Sequence, residues 1–68
     1  MSLINKVIKN IEKRRNELNL SVDALAKKAN IPTGTLNNIR YKKHNDIRLE
    51  TAYAISIALN FTLDDLVK

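Results

Sequence analysis

SVDALAKKANIPTGTLNNIR, residues 21–40, reads as two short helices folded about a tight corner. Ser21 stands just before Val22-Asp23-Ala24-Leu25-Ala26-Lys27-Lys28-Ala29. There its hydroxyl can accept from N–H groups that have no partner in a first helical turn, and Asp23 complements the positive end of the helix dipole. Leu25, Ala26 and Ala29 share one face, and the two alanines are small enough to let another helix cross close by. Asn30 follows the last periodic residue, and Asn is the commonest substitute for Gly where a chain turns left-handed, so the first helix is predicted to stop there. Ile31 then plugs the corner, and Pro32 fits the first position of the second helix, where its missing N–H is not needed. Leu36 and Ile39 form the buried edge of that helix. Thr33, Gly34, Asn37 and Asn38 are left on a face that is polar yet uncharged.

Upstream, Ile4, Val7, Ile8, Ile11 and Leu18 recur at three- and four-residue steps or their sum, drawing one apolar stripe along a helix from about Ser2 to Leu18. Lys6, Lys9, Lys13 and Arg14 fall on the opposite face, where long charged side chains are expected to stay solvated and add to the field. Downstream, residues 41–47 have no helical period and read as a loop. Leu49, Ala52, Ile55 and Leu59 mark a fourth helix, in which Tyr53, like Phe61 beyond it, is expected to supply bulk to the core. Asn60 is expected to end that helix as Asn30 ends the second. Thr62-Leu63-Asp64-Asp65 is a capping pattern, and Phe61 with Leu66 has the spacing of a hydrophobic staple around it, so a fifth short helix closes the chain.

Composition narrows the function classes. Sixty-eight residues leave room for one small core, so residues 1–68 read as a single domain, and one Gly, one Pro and no Trp argue against a turn-rich β fold. Lys and Arg number 12 against 7 Asp and Glu, a formal +5, which points to a polyanionic partner, nucleic acid ahead of membrane. The charge is lopsided: residues 1–48 hold 11 basic and 4 acidic side chains, residues 49–68 hold 1 and 3. With no Cys and one His, His44, there is no thiolate or imidazole metal site, no thiol nucleophile and no disulfide. No cofactor or small-molecule ligand is implied. An enzyme is not expected, since the Asp64-Asp65 pair is explained by capping and nothing else supplies a nucleophile and base. No apolar run is long enough for a membrane span or signal peptide, and a cytoplasmic location is expected.

The order Leu20-Ser21-x-x-x-Leu25-Ala26, Ala29-Asn30-Ile31-Pro32-x-x-Thr35-Leu36-Asn37-Asn38-Ile39, a basic loop, Arg48-Leu49-Glu50-Thr51, Ala58-Leu59 and Leu63-Asp64-Asp65-Leu66 resembles the Cro/repressor-type (XRE-like) helix-turn-helix transcriptional regulators over roughly residues 4–67. The resemblance implies an all-α, lambda-repressor-like bundle of about five helices, with the DNA-binding motif at about 21–41 formed by helices 2 and 3. Three positions depart from the family pattern. Asn30 stands where Gly is usual. Val22 replaces a Gln that in many members steadies the recognition helix and touches phosphate. Arg40 occupies the place of a Glu that often pairs with the Arg aligned to Arg15, so two cations stand where an ion pair is usual. Either Arg40 swings to the phosphates, or both side chains simply solvate.

The family's docking mode puts the second motif helix in the major groove. By position, Thr33, Gly34, Asn37 and Asn38 then read bases, with an Asn carboxamide suited to adenine and a Thr methyl to thymine. Ser21, Thr35, Tyr41, Lys42, Lys43 and Arg48 match the phosphate-contacting places, although Thr35 can equally face inward and His44 reads as an ordinary loop residue. Gly34 costs helix stability, which is explained by close approach to the groove or by drift at a tolerant site. The implied activity is sequence-specific binding of double-stranded DNA as a homodimeric regulator, a repressor in the usual case. The competing reading is a protein-binding helix-turn-helix module such as an antitoxin or adaptor. Single-stranded nucleic acid ranks lower because the reading face lacks stacking aromatics.

Overall fold

Three asparagines punctuate the helices. Asn19, Asn30 and Asn60 all have left-handed backbones, with φ of 57°, 59° and 57°. Each is followed by an apolar residue whose N–H reaches back five positions: Leu20 to the Arg15 carbonyl at 3.0 Å, Ile31 to Ala26 at 3.0 Å and Phe61 to Ser56 at 2.7 Å. These are Schellman closures. They satisfy carbonyls that the helix end would leave orphaned, while Leu20, Ile31 and Phe61 fold back onto the core as the accompanying hydrophobic contact. The Asn-apolar dipeptide is therefore the chain's recurrent stop signal, and the first of the three, at Asn19, lies outside the expectations drawn from the sequence. Because a side chain with a Cβ is strained at such angles and Asn only moderately so, Asn30→Ala is expected to cost about 1 kcal/mol and Asn30→Gly to match or slightly exceed the wild type. Urea unfolding of the three proteins checks this, and an Ala variant as stable as the wild type would contradict it.

The computed structural model describes residues 3–41 and 47–68, among which there are five helices and no strand. α1 spans Leu3–Glu17, α2 Val22–Ala29, α3 Thr33–Arg40, α4 Leu49–Ala58 and α5 Leu63–Val67. This is the five-helix, all-α architecture that the motif order implies. α2 packs on α3 and α4, and α5 packs on α1 and α4. Leu25, Leu36, Ile55 and Leu59 are fully buried at the centre, with Val7, Ile11, Ala26, Ala29, Ile39, Ala52, Ala58 and Leu66 completing the core. Ala26 and Ala29 carry no bulk beyond Cβ, which allows α2 to sit closely against its neighbours.

Capping fixes where the elements begin. The Ser21 hydroxyl accepts from the Ala24 N–H at 3.0 Å. Thr62 and Asp65 form a reciprocal capping box, with Asp65 N–H donating to Thr62 Oγ1 at 3.2 Å and Thr62 N–H to Asp65 Oδ2 at 2.9 Å. The backbone N–H of Thr62, joined by the Lys68 ammonium, lowers the Asp65 carboxyl from an ordinary 3.8 to about 2. Asn10 donates its amide to the Leu66 carbonyl at 2.8 Å, which ties α1 to the end of α5.

Four expectations are corrected. Pro32 is the N-cap of α3, not its first helical residue; with φ −62° and ψ 141° it is extended, and its carbonyl accepts from Thr35 at 3.0 Å. Leu49 and Tyr53 are 72% and 55% exposed, not core, because α4 buries the opposite side through Ala52, Ile55, Ser56 and Leu59. Arg14 is not a solvated charge. Its Nε donates to the Leu59 carbonyl at 3.0 Å, and its guanidinium lies 5.2 Å from the Phe61 ring centroid, so it caps the α4 end and covers Phe61.

Candidate nucleic-acid interface

α3 is oriented by what it buries. Leu36 and Ile39 sink into the core and α2 supports them from behind, which turns the remaining faces of this two-turn helix outward. Gly34 is exposed, while Thr33, Asn37 and Asn38 are half-buried. Pro32 supplies no side-chain cap and the first turn holds no acidic residue, so the positive end of the α3 dipole is uncompensated by any nearby carboxylate on the helix itself.

Gly34 has no conformational reason to be glycine. Its φ is not positive, and a Cβ built there meets nothing within 4 Å. Gly34→Ala is therefore expected to raise the unfolding free energy by about 0.5–1 kcal/mol, the ordinary helix-interior gain. Thermal unfolding checks the gain. If the same variant loses duplex affinity, the glycine is kept for the close approach of a binding partner. If affinity is unchanged, Gly34 is a tolerant position.

The residues expected to touch phosphate divide by location. Thr35 and Arg48 line one cleft with Asn38 and Thr51, bounded by Pro32, so the start of α4 faces the exposed edge of α3. Thr51 on this wall has no counterpart among the expectations; its place two residues inside α4, one turn beyond Arg48, was the available signal. Arg48 is exposed and is the N-cap residue of α4. Ser21 is exposed at the start of α2, and although its oxygen is engaged in capping, its hydroxyl proton remains a donor. Tyr41 is 66% exposed, immediately after α3. Lys42, Lys43 and His44 lie outside the described residues.

Arg40 neither solvates nor points away. Its Nε donates to Glu12 Oε1 at 2.6 Å, while the other Glu12 oxygen, Oε2, accepts from Arg15 Nε at 2.7 Å. One carboxylate on α1 thus bridges both cations, and the missing ion pair is rebuilt with the acid moved from α3 to α1, three residues before Arg15. Burial pushes the Glu12 carboxyl up, but the hydrogen bonds from Arg15 and Arg40 outweigh it and hold the group below its ordinary value. The hydrogen bond that Arg40 donates to Glu12 in turn raises the guanidinium above its ordinary value. Arg15 also donates Nη1 to the Leu20 carbonyl at 2.8 Å, which anchors the α1–α2 turn. Arg40 reaches forward as well: Nη1 donates to Asn37 Oδ1 at 3.0 Å, and the guanidinium lies 5.3 Å from the Tyr41 ring centroid. Glu12 as the pivot was missed by the sequence reading, although its position one turn before Arg15 was visible.

Among the described residues no cluster of three His, Asp or Glu side chains could hold a metal, and no helix is long and apolar enough to cross a membrane. The sequence matches the family described as Helix-turn-helix over residues 11–66, which runs from the middle of α1 through α5. No curated protein and no solved structure gives a match.

Proposed function

Because the chain belongs to the helix-turn-helix family, a family of DNA-binding regulators, we propose that it binds double-stranded DNA sequence-specifically and represses transcription in the cytoplasm as a homodimer. The observation that carries the reading is the presentation of α3: its apolar edge is buried, and Thr33, Gly34, Asn37 and Asn38 are left with access to a groove. In this arrangement α2 crosses the DNA backbone, α3 enters the major groove, and Thr35, Tyr41, Lys42, Lys43 and Arg48, with the Ser21 hydroxyl, grip the flanking phosphates. The excess of cations over residues 1–48 supports a polyanion meeting that half of the chain.

A second copy is the proposed partner on DNA. Leu49, Tyr53 and Ile57 stand four residues apart on α4 and are 72%, 55% and 54% exposed, so they form one outward apolar stripe along that helix. An isologous contact would bury the same patch from both copies and set two α3 helices about one helical turn of DNA apart, roughly 34–36 Å.

The test is selection of bound duplexes from a random pool, followed by titrations at several salt concentrations. Asn38→Ala should relax the preference at one base pair by about 1–3 kcal/mol. Lys43→Ala should weaken all duplexes alike and reduce the salt slope by about one unit. Leu49→Arg should leave the monomer folded and abolish cooperative binding to paired half-sites. Absence of salt-dependent duplex affinity would overturn the proposal in favour of a protein-binding module whose α4 stripe holds the partner.

A further inference from the structure

The two adjacent asparagines of α3 are not chemically equivalent. Asn37 Oδ1 accepts from Arg40 Nη1 at 3.0 Å, and the same guanidinium is held from the other side by Glu12 on α1 at 2.6 Å. A guanidinium has only donors, so the oxygen of the Asn37 carboxamide, and not its nitrogen, must face it. The amide orientation is thereby settled by chemistry. Asn38, by contrast, has no hydrogen bond from its carboxamide to any described residue, and it lines the cleft shared with Thr35, Arg48 and Thr51.

We propose that Arg40 is a positioning residue: clamped by Glu12, it holds the Asn37 carboxamide by its oxygen, so that Asn37 meets DNA through its Nδ2 donor while Asn38 keeps both donor and acceptor. The inference rests on the reading of α3 as the groove helix and specifies what that helix can read. Bidentate recognition of adenine needs an oxygen to accept from N6 and a nitrogen to donate to N7, a pairing open to Asn38. Asn37, presenting its donor, suits an acceptor edge: N7 or O6 of guanine, N7 of adenine or O4 of thymine. It rejects cytosine, whose major-groove edge is the N4 donor. The clamp has the rigidity such a task needs. Glu12 is itself pinned by Arg15, and Arg15 by the Leu20 carbonyl, so the orientation of one side chain on α3 is referred back to α1 through successive charge-assisted hydrogen bonds.

Two measurements decide it. In the free protein, the χ1 couplings and side-chain amide resonances of Asn37 should report one rotamer in the wild type and averaging in Arg40→Met and Arg40→Lys. Lys keeps a cation for Glu12 but lacks the fork that reaches Glu12 and Asn37 together, so it guards against loss of fold in the Met variant. On duplexes varied one base pair at a time, the wild type should disfavour cytosine about tenfold at the position that Asn37→Ala also relaxes. Arg40→Lys should reduce that discrimination to within about twofold and leave the other positions unchanged, and the Asn37→Ala/Arg40→Lys double variant should match Asn37→Ala alone. An Asn37 rotamer unaltered by either Arg40 substitution would overturn the proposal. So would an Arg40→Lys variant that keeps the cytosine discrimination, or an Arg40→Met variant that weakens every duplex equally with a lower salt slope, which would make Arg40 a phosphate contact. A wild-type chain with no duplex preference defeats the DNA reading instead, and the rotamer measurement then decides the clamp by itself.

Discussion

Leu25→Ala is expected to lower the unfolding free energy by about 2–5 kcal/mol, the usual range for emptying a leucine site in a packed core. Leu25 has no exposure and lies where α2 packs against both α3 and α4, so no single neighbour can shift to fill the space without disturbing a second interface. The consequence is large because the domain is small: 68 residues at ordinary stability per residue amount to roughly 3–10 kcal/mol in total. The melting temperature should fall by about 10–30 °C, at several degrees per kcal/mol for this size. Circular dichroism at 222 nm checks the shift. Binding to a preferred duplex, measured well below the new melting temperature, should recover, since Leu25 does not face the proposed groove. A variant that melts within a few degrees of the wild type would show that the α2–α3–α4 junction is not the core's centre.

The second large effect is expected at Glu12. Glu12→Gln leaves Arg15 and Arg40, whose side chains are 14% and 20% exposed, facing one another without an anion. A half-buried ion triad stripped of its acid should cost about 1–3 kcal/mol, less than a fully buried pair because water still reaches the group. The pH dependence gives a signature that packing loss does not. The Glu12 carboxyl is held below its ordinary 4.5 in the folded chain, so its contribution is fully present above that value and is lost as pH falls through the lower, folded value. The stability difference between wild type and Glu12→Gln should therefore be greatest near neutrality and shrink as the pH is taken below about 4.5. Urea titrations at pH 7 and at successive acid points measure it. A difference that stays constant across the series would remove Glu12 as the electrostatic pivot.

Apart from the stop at Asn19 and the exact start of α3, the helix boundaries, the inward edges of α1 to α3 and the capping box at Thr62 were readable in order along the chain, because each depends on residues within about one turn of one another. A three- or four-residue period, an Asn before an apolar residue or a Thr-x-x-Asp pattern carries its physical cause locally. The outward placing of α4 was not readable in this way. Leu49, Tyr53 and Ile57 look as fit for a core as Ala52, Ile55 and Leu59, and a helix that is apolar on most sides has no pattern to say which side meets the protein. Packing of α2 and α5 against it settles the matter.

The Glu12–Arg40 contact shows the same division more sharply. Charges 28 residues apart in the chain have no shared period, and Arg40 in isolation suits phosphate or water equally well. Proximity of α1 to the end of α3, which arises from burying apolar edges elsewhere in the bundle, puts a carboxylate 2.6 Å from its guanidinium. Local propensities thus dictate the rods and their stops, whereas partners distant in sequence, and with them the orientation of Asn37, follow from how the rods bury their apolar sides.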